Sequence, residues 1–87
     1  VQQTRSPVKV LLVEDEEMLA ETVAVGLRAE GFVVVTTGNG TDGLWLACNE
    51  TFDVVVLDIM LPGLNGYEVL RQLRAAQVWT PVLMLAA

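Results

Sequence analysis

Three acidic residues hold the chemical promise of this chain. Glu14 and Asp15 directly follow the largely apolar run Val8 to Val13, and Asp58 directly follows Val54-Val55-Val56-Leu57. Runs of β-branched residues without polar alternation read as strands buried on both faces, the habit of parallel sheets covered by helices. In such sheets the loops beyond the carboxyl ends of neighbouring strands form the ligand crevice, so the three acids are expected to meet there. Carboxylates brought together repel one another, and no Lys or Arg lies near them in sequence. A divalent cation relieves that repulsion. Hard oxygen ligands suit Mg2+, which keeps several waters and leaves coordination positions for phosphoryl oxygens. With a metal screening the charge, Asp58 could attack a phosphoryl group and form an aspartyl phosphate.

The elements that must position these acids follow from periodicity and punctuation. Val8 to Val13 is a first strand, followed by a helix from about Glu16 to Glu30 with Leu19, Val23 and Leu27 on its apolar face and Gly31 as its stop. Phe32 to Thr37 reads as a second strand, and Thr41 to Glu50 as a helix carrying Leu44, Trp45 and Cys48. Phe52 to Leu57 makes a third strand. The loop Ile59 to Leu64 then turns at Pro62-Gly63, and Asn65 caps a helix reaching about Ala76, with Glu68 at the capping-box position. Thr80-Pro81 opens a fourth strand, Val82 to Leu85. The pattern βαβαβαβ with right-handed crossovers predicts an α/β fold, a doubly wound parallel sheet. Strand order 2-1-3-4 would set the first and third strands side by side, with their acidic ends adjacent. Nothing in the chain covers the outer side of the fourth strand, so further chain or a second copy, as a dimer through that strand, is the expected cover.

Composition narrows the function classes. The 87 residues fit one small domain, expected over residues 8–87, with residues 1–7 as a disordered polar tail. Eleven acidic against five basic residues give a net charge of -6, which argues against direct nucleic-acid contact by this segment. No stretch approaches the roughly 20 apolar residues of a membrane span. A single cysteine, Cys48, cannot form an internal disulfide and reads as a small buried hydrophobe; together with the lack of a secretory leader it predicts a cytoplasmic setting.

Three stretches together resemble the receiver domains of two-component response regulators. They are Val10-Leu11-Leu12-Val13-Glu14-Asp15-Glu16, the segment from Phe52 through Asp58-Ile59-Met60-Leu61-Pro62-Gly63-Leu64-Asn65-Gly66-Tyr67 to Glu68, and Thr80-Pro81-Val82-Leu83-Met84-Leu85. The resemblance implies a flavodoxin-like, CheY-like fold. It makes Asp58 the phospho-acceptor, Asp15 a Mg2+ ligand, Glu14 a ligand through water or an orienting acid, and the Met60 backbone carbonyl the third metal contact. It also implies a sensor histidine kinase as phosphoryl donor and an effector domain outside this chain as output. The second stretch looks most like OmpR-type regulators with winged-helix DNA-binding domains. On this reading the protein is a phospho-acceptor and signal relay rather than an enzyme with its own substrate.

Two departures from the family matter. Ala86 stands at the switch position where the family has Ser or Thr, which removes a hydroxyl donor to the phosphoryl group. A fifth strand, its Lys and the last helices have no counterpart in these residues, so the domain reads as C-terminally incomplete, and weak or absent phosphorylation is expected of this segment alone. An alternative is a receiver fold that works as a protein-interaction module without phosphorylation. More remote is a dinucleotide-binding domain through Gly38, Gly40 and Gly43, which fit G-x-G-x-x-G but place Asp42 where a pyrophosphate would lie. A dehalogenase-type phosphatase needs a second Asp two residues beyond the first, where this chain has Met60. Asp15 as a simple helix N-cap is the bland reading of that residue, while Glu16 and Glu17 suit the positive end of the first helix.

Overall fold

The computed structural model describes residues 6–86. Four strands, β1 (Lys9–Val13), β2 (Val33–Thr37), β3 (Val54–Asp58) and β4 (Val82–Leu85), alternate with three helices, α1 (Glu17–Ala29), α2 (Gly40–Asn49) and α3 (Gly66–Ala75). All strand pairs are parallel and the order is β2-β1-β3-β4, as the pattern predicts. Of the expected tail, residues 1–5 lie outside the described residues, and Ser6 and Pro7 are exposed.

Alternation along each strand divides the core between the two faces of the sheet. Leu11, Val13, Val55 and Leu57 pack with Ala47, Phe52, Val69 and Leu73 beneath α2 and α3. Val10, Leu12 and Val34 face the other way and meet Ala20 and Ala24 of α1. Among the described residues α1 covers that face over β1 and β2: further along, Val54 and Val56 are half-buried and Leu83 is 57% exposed.

Helix faces depart from the sequence expectation for one physical reason: close approach to a sheet selects small residues rather than large ones. In α1 the buried residues are Ala20 and Ala24, Val23 and Leu27 flank them, and Leu19 is exposed. In α2 Gly43 and Ala47 are buried toward the sheet and Gly40 against the loop at Leu64, whereas Trp45 points to solvent at 61% exposure. Cys48 is exposed as well, so it is not the buried hydrophobe its type suggested.

The helix ends follow their capping signals in part. Gly31, at φ +94°, closes α1 with its amide on the Arg28 carbonyl and the Phe32 amide on Leu27. The same arrangement closes α3, but the left-handed residue there is Gln77 at φ 60°, which no glycine or proline announced. Arg74 steadies the connection to β4 by donating to the Val78 and Thr80 carbonyls at 2.7 and 2.9 Å. At the start of α3, Asn65 Oδ1 accepts from the Glu68 amide at 2.9 Å, while the Glu68 carboxylate pairs with Arg71 and Gln72 instead of returning the cap.

Among the described residues no strand pairs with the outer side of β2. Val33 donates to the Val8 carbonyl and Thr37 accepts from the Glu14 amide, so alternate residues bond inward and the backbone groups of Val34 and Thr36 face away from β1. Arg28 reaches back from α1 and donates to the Val34 carbonyl at 2.9 Å.

Candidate functional site

Parallel pairing of β1 with β3 aligns Val13 with Leu57, so both strands deliver their next residues to the same sheet edge. Glu14 and Asp15 leave β1 there, and Asp58 is the last residue of β3. Each offers a carboxylate oxygen, and the three atoms lie within 4.8 Å of one another. The expected convergence of these acids is therefore realised.

Their surroundings differ. Glu14 is only 7% exposed; its amide extends the ladder to the Thr37 carbonyl at 3.0 Å, and its Oε2 accepts from the Glu16 amide at 3.0 Å. Burial raises its carboxyl pKa, the Glu16 N–H works against that, and the negative charge of Asp58 with hydrogen bonds to Asp15 and Asp58 raises it further. Asp58 is half-buried, with Oδ1 accepting from the Met60 amide at 3.2 Å, which sets the Met60 peptide against the carboxylate. Asp15 is exposed and does not cap α1. The capping residue is Glu16, whose Oε2 accepts from the Leu19 amide at 3.2 Å.

Among the described residues every basic side chain is engaged elsewhere: Lys9 with Glu50 and the Phe52 ring, Arg28 with Val34, Arg71 with Glu68, and Arg74 with Val78 and Thr80. A hard divalent ion fits this donor set, since a buried acid held against its like-charged neighbours gains from any cation between them. An open groove lined by Asp15, Thr37, Asn39, Thr41 and Pro62 leads to the cluster.

The glycines around the groove pack rather than bind. Gly43 lies against Val13, whose methyl carbon would be 2.9 Å from an added Cβ, and a Cβ on Gly40 would overlap the Leu64 carbonyl oxygen. The chain's own atoms thus occupy the surface that a pyrophosphate would need at Gly40 and Gly43, and Gly38 alone opens onto free space. Gly66 is equally confined: a Cβ there would overlap the Asp58 carbonyl oxygen and come within 2.9 Å of Ile59 Cα. Ala86, exposed, follows the Asp58–Leu85 pairing and so lies beside the end of β3. The capping role of Glu16 was hidden in the sequence, because Glu is a poor N-cap type. Its four-acid run, Glu14 to Glu17, was the available signal.

Comparison with known proteins decides the family. Residues 10–87 match the model of the response regulator receiver domain. The chain belongs to this family. The uncharacterized transcriptional regulatory protein YkoG of Bacillus subtilis is 47% identical over 78 residues, covering 90% of this chain and 34% of its own length. The probable transcriptional regulatory protein TcrX of Mycobacterium tuberculosis is 47% identical over 81 residues, covering 93% and 35%. The receiver domain therefore spans about a third of the curated relatives it matches. Among solved structures, the receiver domain of the Francisella response regulator 1452 superposes with a TM-score of 0.89 at 31% identity, over 92% of this chain and 66% of that one. The receiver domain of the sensor histidine kinase PA1611 from Pseudomonas aeruginosa, with a magnesium ion coordinated in its active site cleft, gives 0.86 at 27% identity, over 91% and 66%. A response regulator from Burkholderia pseudomallei with a phosphorylated aspartic acid and a calcium ion gives 0.80 at 29%, over 91% and 46%. The CheY-like, flavodoxin-like architecture expected from the sequence is thus confirmed.

Proposed function

We propose that this receiver domain accepts a phosphoryl group on Asp58 from the phosphohistidine of a sensor histidine kinase and relays the signal to an output domain. The observation that carries this reading is the meeting of Glu14, Asp15 and Asp58 at adjacent strand ends, where the basic side chains of the described residues are all engaged elsewhere. Asp15, Asp58 and the Met60 carbonyl would hold Mg2+, with Glu14 acting through water or by orienting the others. Bound there, the ion supplies charge neutralisation between the carboxylate and the phosphoryl oxygens. The receiver structures with magnesium in the cleft and with a phosphorylated aspartic acid support the same assignment.

The chain's own residues prepare the nucleophile. The Met60 amide holds Asp58 Oδ1 and so fixes the orientation of the attacking carboxylate. In-line attack on phosphorus forms the P–O bond as the P–N bond breaks, and the electron pair leaves with the imidazole. The domain is in this sense a phospho-acceptor rather than an enzyme with a turned-over substrate. Ala86 offers no hydroxyl to the phosphoryl group; a hydrogen bond to a charged group is worth about 1.5–3 kcal/mol, so phosphorylation has that much less with which to shift this edge of the sheet.

Output is read as transcriptional, because the curated relatives are transcriptional regulatory proteins about three times as long. The acidic balance assigns any DNA contact to the remainder of such a protein. No helix among the described residues is long and apolar enough to cross a membrane, which agrees with a cytoplasmic setting.

Incubation with acetyl phosphate and Mg2+, followed by intact-mass measurement, tests the reading. A substoichiometric gain of one phosphoryl group that disappears in Asp58→Asn is expected. A full-length protein that binds no beryllofluoride in the presence of Mg2+ would instead favour the non-phosphorylated interaction module, the reading to which Ala86 lends itself.

A further inference from the structure

We propose that Gly40 is a positioning residue for the metal site: the first turn of α2 buttresses the loop between β3 and α3 and so sets the Met60 peptide beside Asp58. This inference rests on the assignment of Asp58 and Met60 to that site. The loop is pinned at its ends by the Ile59 amide on the Leu85 carbonyl at 3.1 Å and the Gly66 amide on the Ile59 carbonyl at 2.8 Å. Its middle rests on the core through Leu61 and Leu64 and takes a backbone hydrogen bond from α2. There the buried Gly40 donates its amide to the Pro62 carbonyl at 3.0 Å, and its Cα lies flat against Leu64. An added Cβ would overlap the Leu64 carbonyl oxygen, with the carbonyl carbon at 2.7 Å and Cα at 3.1 Å. Those are backbone atoms, which cannot rotate away as a side chain does. Beside this contact Gly63, at φ +81°, leaves no room for a Cβ, which would stand 2.9 Å from Thr41 Oγ1.

With the ends of the loop fixed, a methyl group at Gly40 forces residues 60–64 and the first turn of α2 apart. Met60 is two residues from the Pro62 contact, and its amide is the group that fixes Asp58 Oδ1. The cost therefore falls on the metal site, across chain segments that are distant in sequence. Gly26 provides the control. It sits within α1 with nothing within 4 Å of an added Cβ, so Gly26→Ala relieves a helix-interior glycine and should stabilise the fold without touching the site.

The test is calorimetric Mg2+ titration of the wild-type chain, Gly40→Ala, Gly26→Ala and the double variant, with the Met60 amide resonance recorded without metal. Gly40→Ala should weaken Mg2+ binding by roughly tenfold or more, the loss usual when a group supporting the ligands is disturbed. The Met60 amide should shift, and Gly26→Ala should bind as wild type. The double variant should recover melting temperature but not affinity. Affinity within twofold of wild type in Gly40→Ala, or affinity that returns with melting temperature in the double variant, would overturn the proposal. Failure of the wild-type chain to bind Mg2+ would instead sink the assignment of the site, while an unmoved Met60 amide in the double variant would sink the buttress by itself.

Discussion

Replacing Asp58 by Asn should stabilise the metal-free domain, because it removes a charge from a cluster that the fold holds together against repulsion. The Asp58 and Glu14 oxygens lie within 4.8 Å of each other. Unit charges at that separation repel by about 0.9 kcal/mol in water and about 3.5 kcal/mol at an effective dielectric constant of ~20. Glu14 is buried and Asp58 half-buried, which places the gain between these limits, at about 1–2 kcal/mol. Asn keeps an Oδ1 to accept from the Met60 amide, so no hydrogen bond is given up. For a domain of this size each kcal/mol moves the melting temperature by roughly 4–8 °C, so circular dichroism in EDTA should show Asp58→Asn melting roughly 5–10 °C above wild type. Mg2+ should reverse the order. At about 100 times its dissociation constant the ion adds about 2.7 kcal/mol to the wild-type chain, and Asp58→Asn should gain much less. A variant that melts below wild type in EDTA, or that Mg2+ raises equally, would refute the electrostatic argument.

Other consequences can be checked on the same material. Glu14 keeps its proton to higher pH when folded than the ordinary 4.5, so the native state binds more protons than the unfolded chain, and metal-free stability should fall as pH rises from 4.5 through the raised value. Glu14→Gln should flatten that slope in urea titrations, and an unchanged slope would count against the burial argument; Glu68, held down to about 2 by its bonds to Arg71 and Gln72, keeps its stabilising contribution above 4.5 and loses it only as pH falls below that value. Leu73→Ala, at a fully buried core position, should cost about 2–5 kcal/mol in chemical denaturation, whereas Leu83→Ala, on the bare face, should change stability by no more than about 0.5 kcal/mol. Gln77→Gly should add roughly 1 kcal/mol by freeing the left-handed end of α3 from its Cβ, measured as a shift in melting temperature. Cys48 should react with a thiol reagent in the native protein as fast as in urea, and protection in the native state would contradict its exposure.

Strands and acids were legible because their signals are local. Val54 to Leu57 needs no partner to look like a buried strand, and an acid at its end marks the crevice wherever the helices lie. Helix faces were less so. Leu19 looks like core by type and Cys48 like a small buried hydrophobe, yet α1 and α2 approach the sheet through Ala20, Ala24, Gly43 and Ala47, and how closely two elements pack is not written in either one. The Gly38-x-Gly40-x-x-Gly43 spacing failed as a binding signal for a related reason. Its glycines answer to Leu64 and Val13, which are far away in the chain and adjacent only after folding. Gln77 was invisible because nothing in its type announces a left-handed residue; the Arg74 bonds that steady the turn come from tertiary structure.

The guanidinium on Val34 also limits how this protein can aggregate. β2 has five β-branched residues, with no charge and no proline, a composition that invites an incoming strand to dock and continue the ladder. Val34 and Thr36 are the described residues to which such a strand would bond, and the acceptor of the first is already taken by Arg28. Displacing that cation forfeits a charge-assisted bond worth about 1.5–3 kcal/mol and drags a desolvated positive group into the new contact. One arginine, sent back from the preceding helix, lets an otherwise sticky border remain a border.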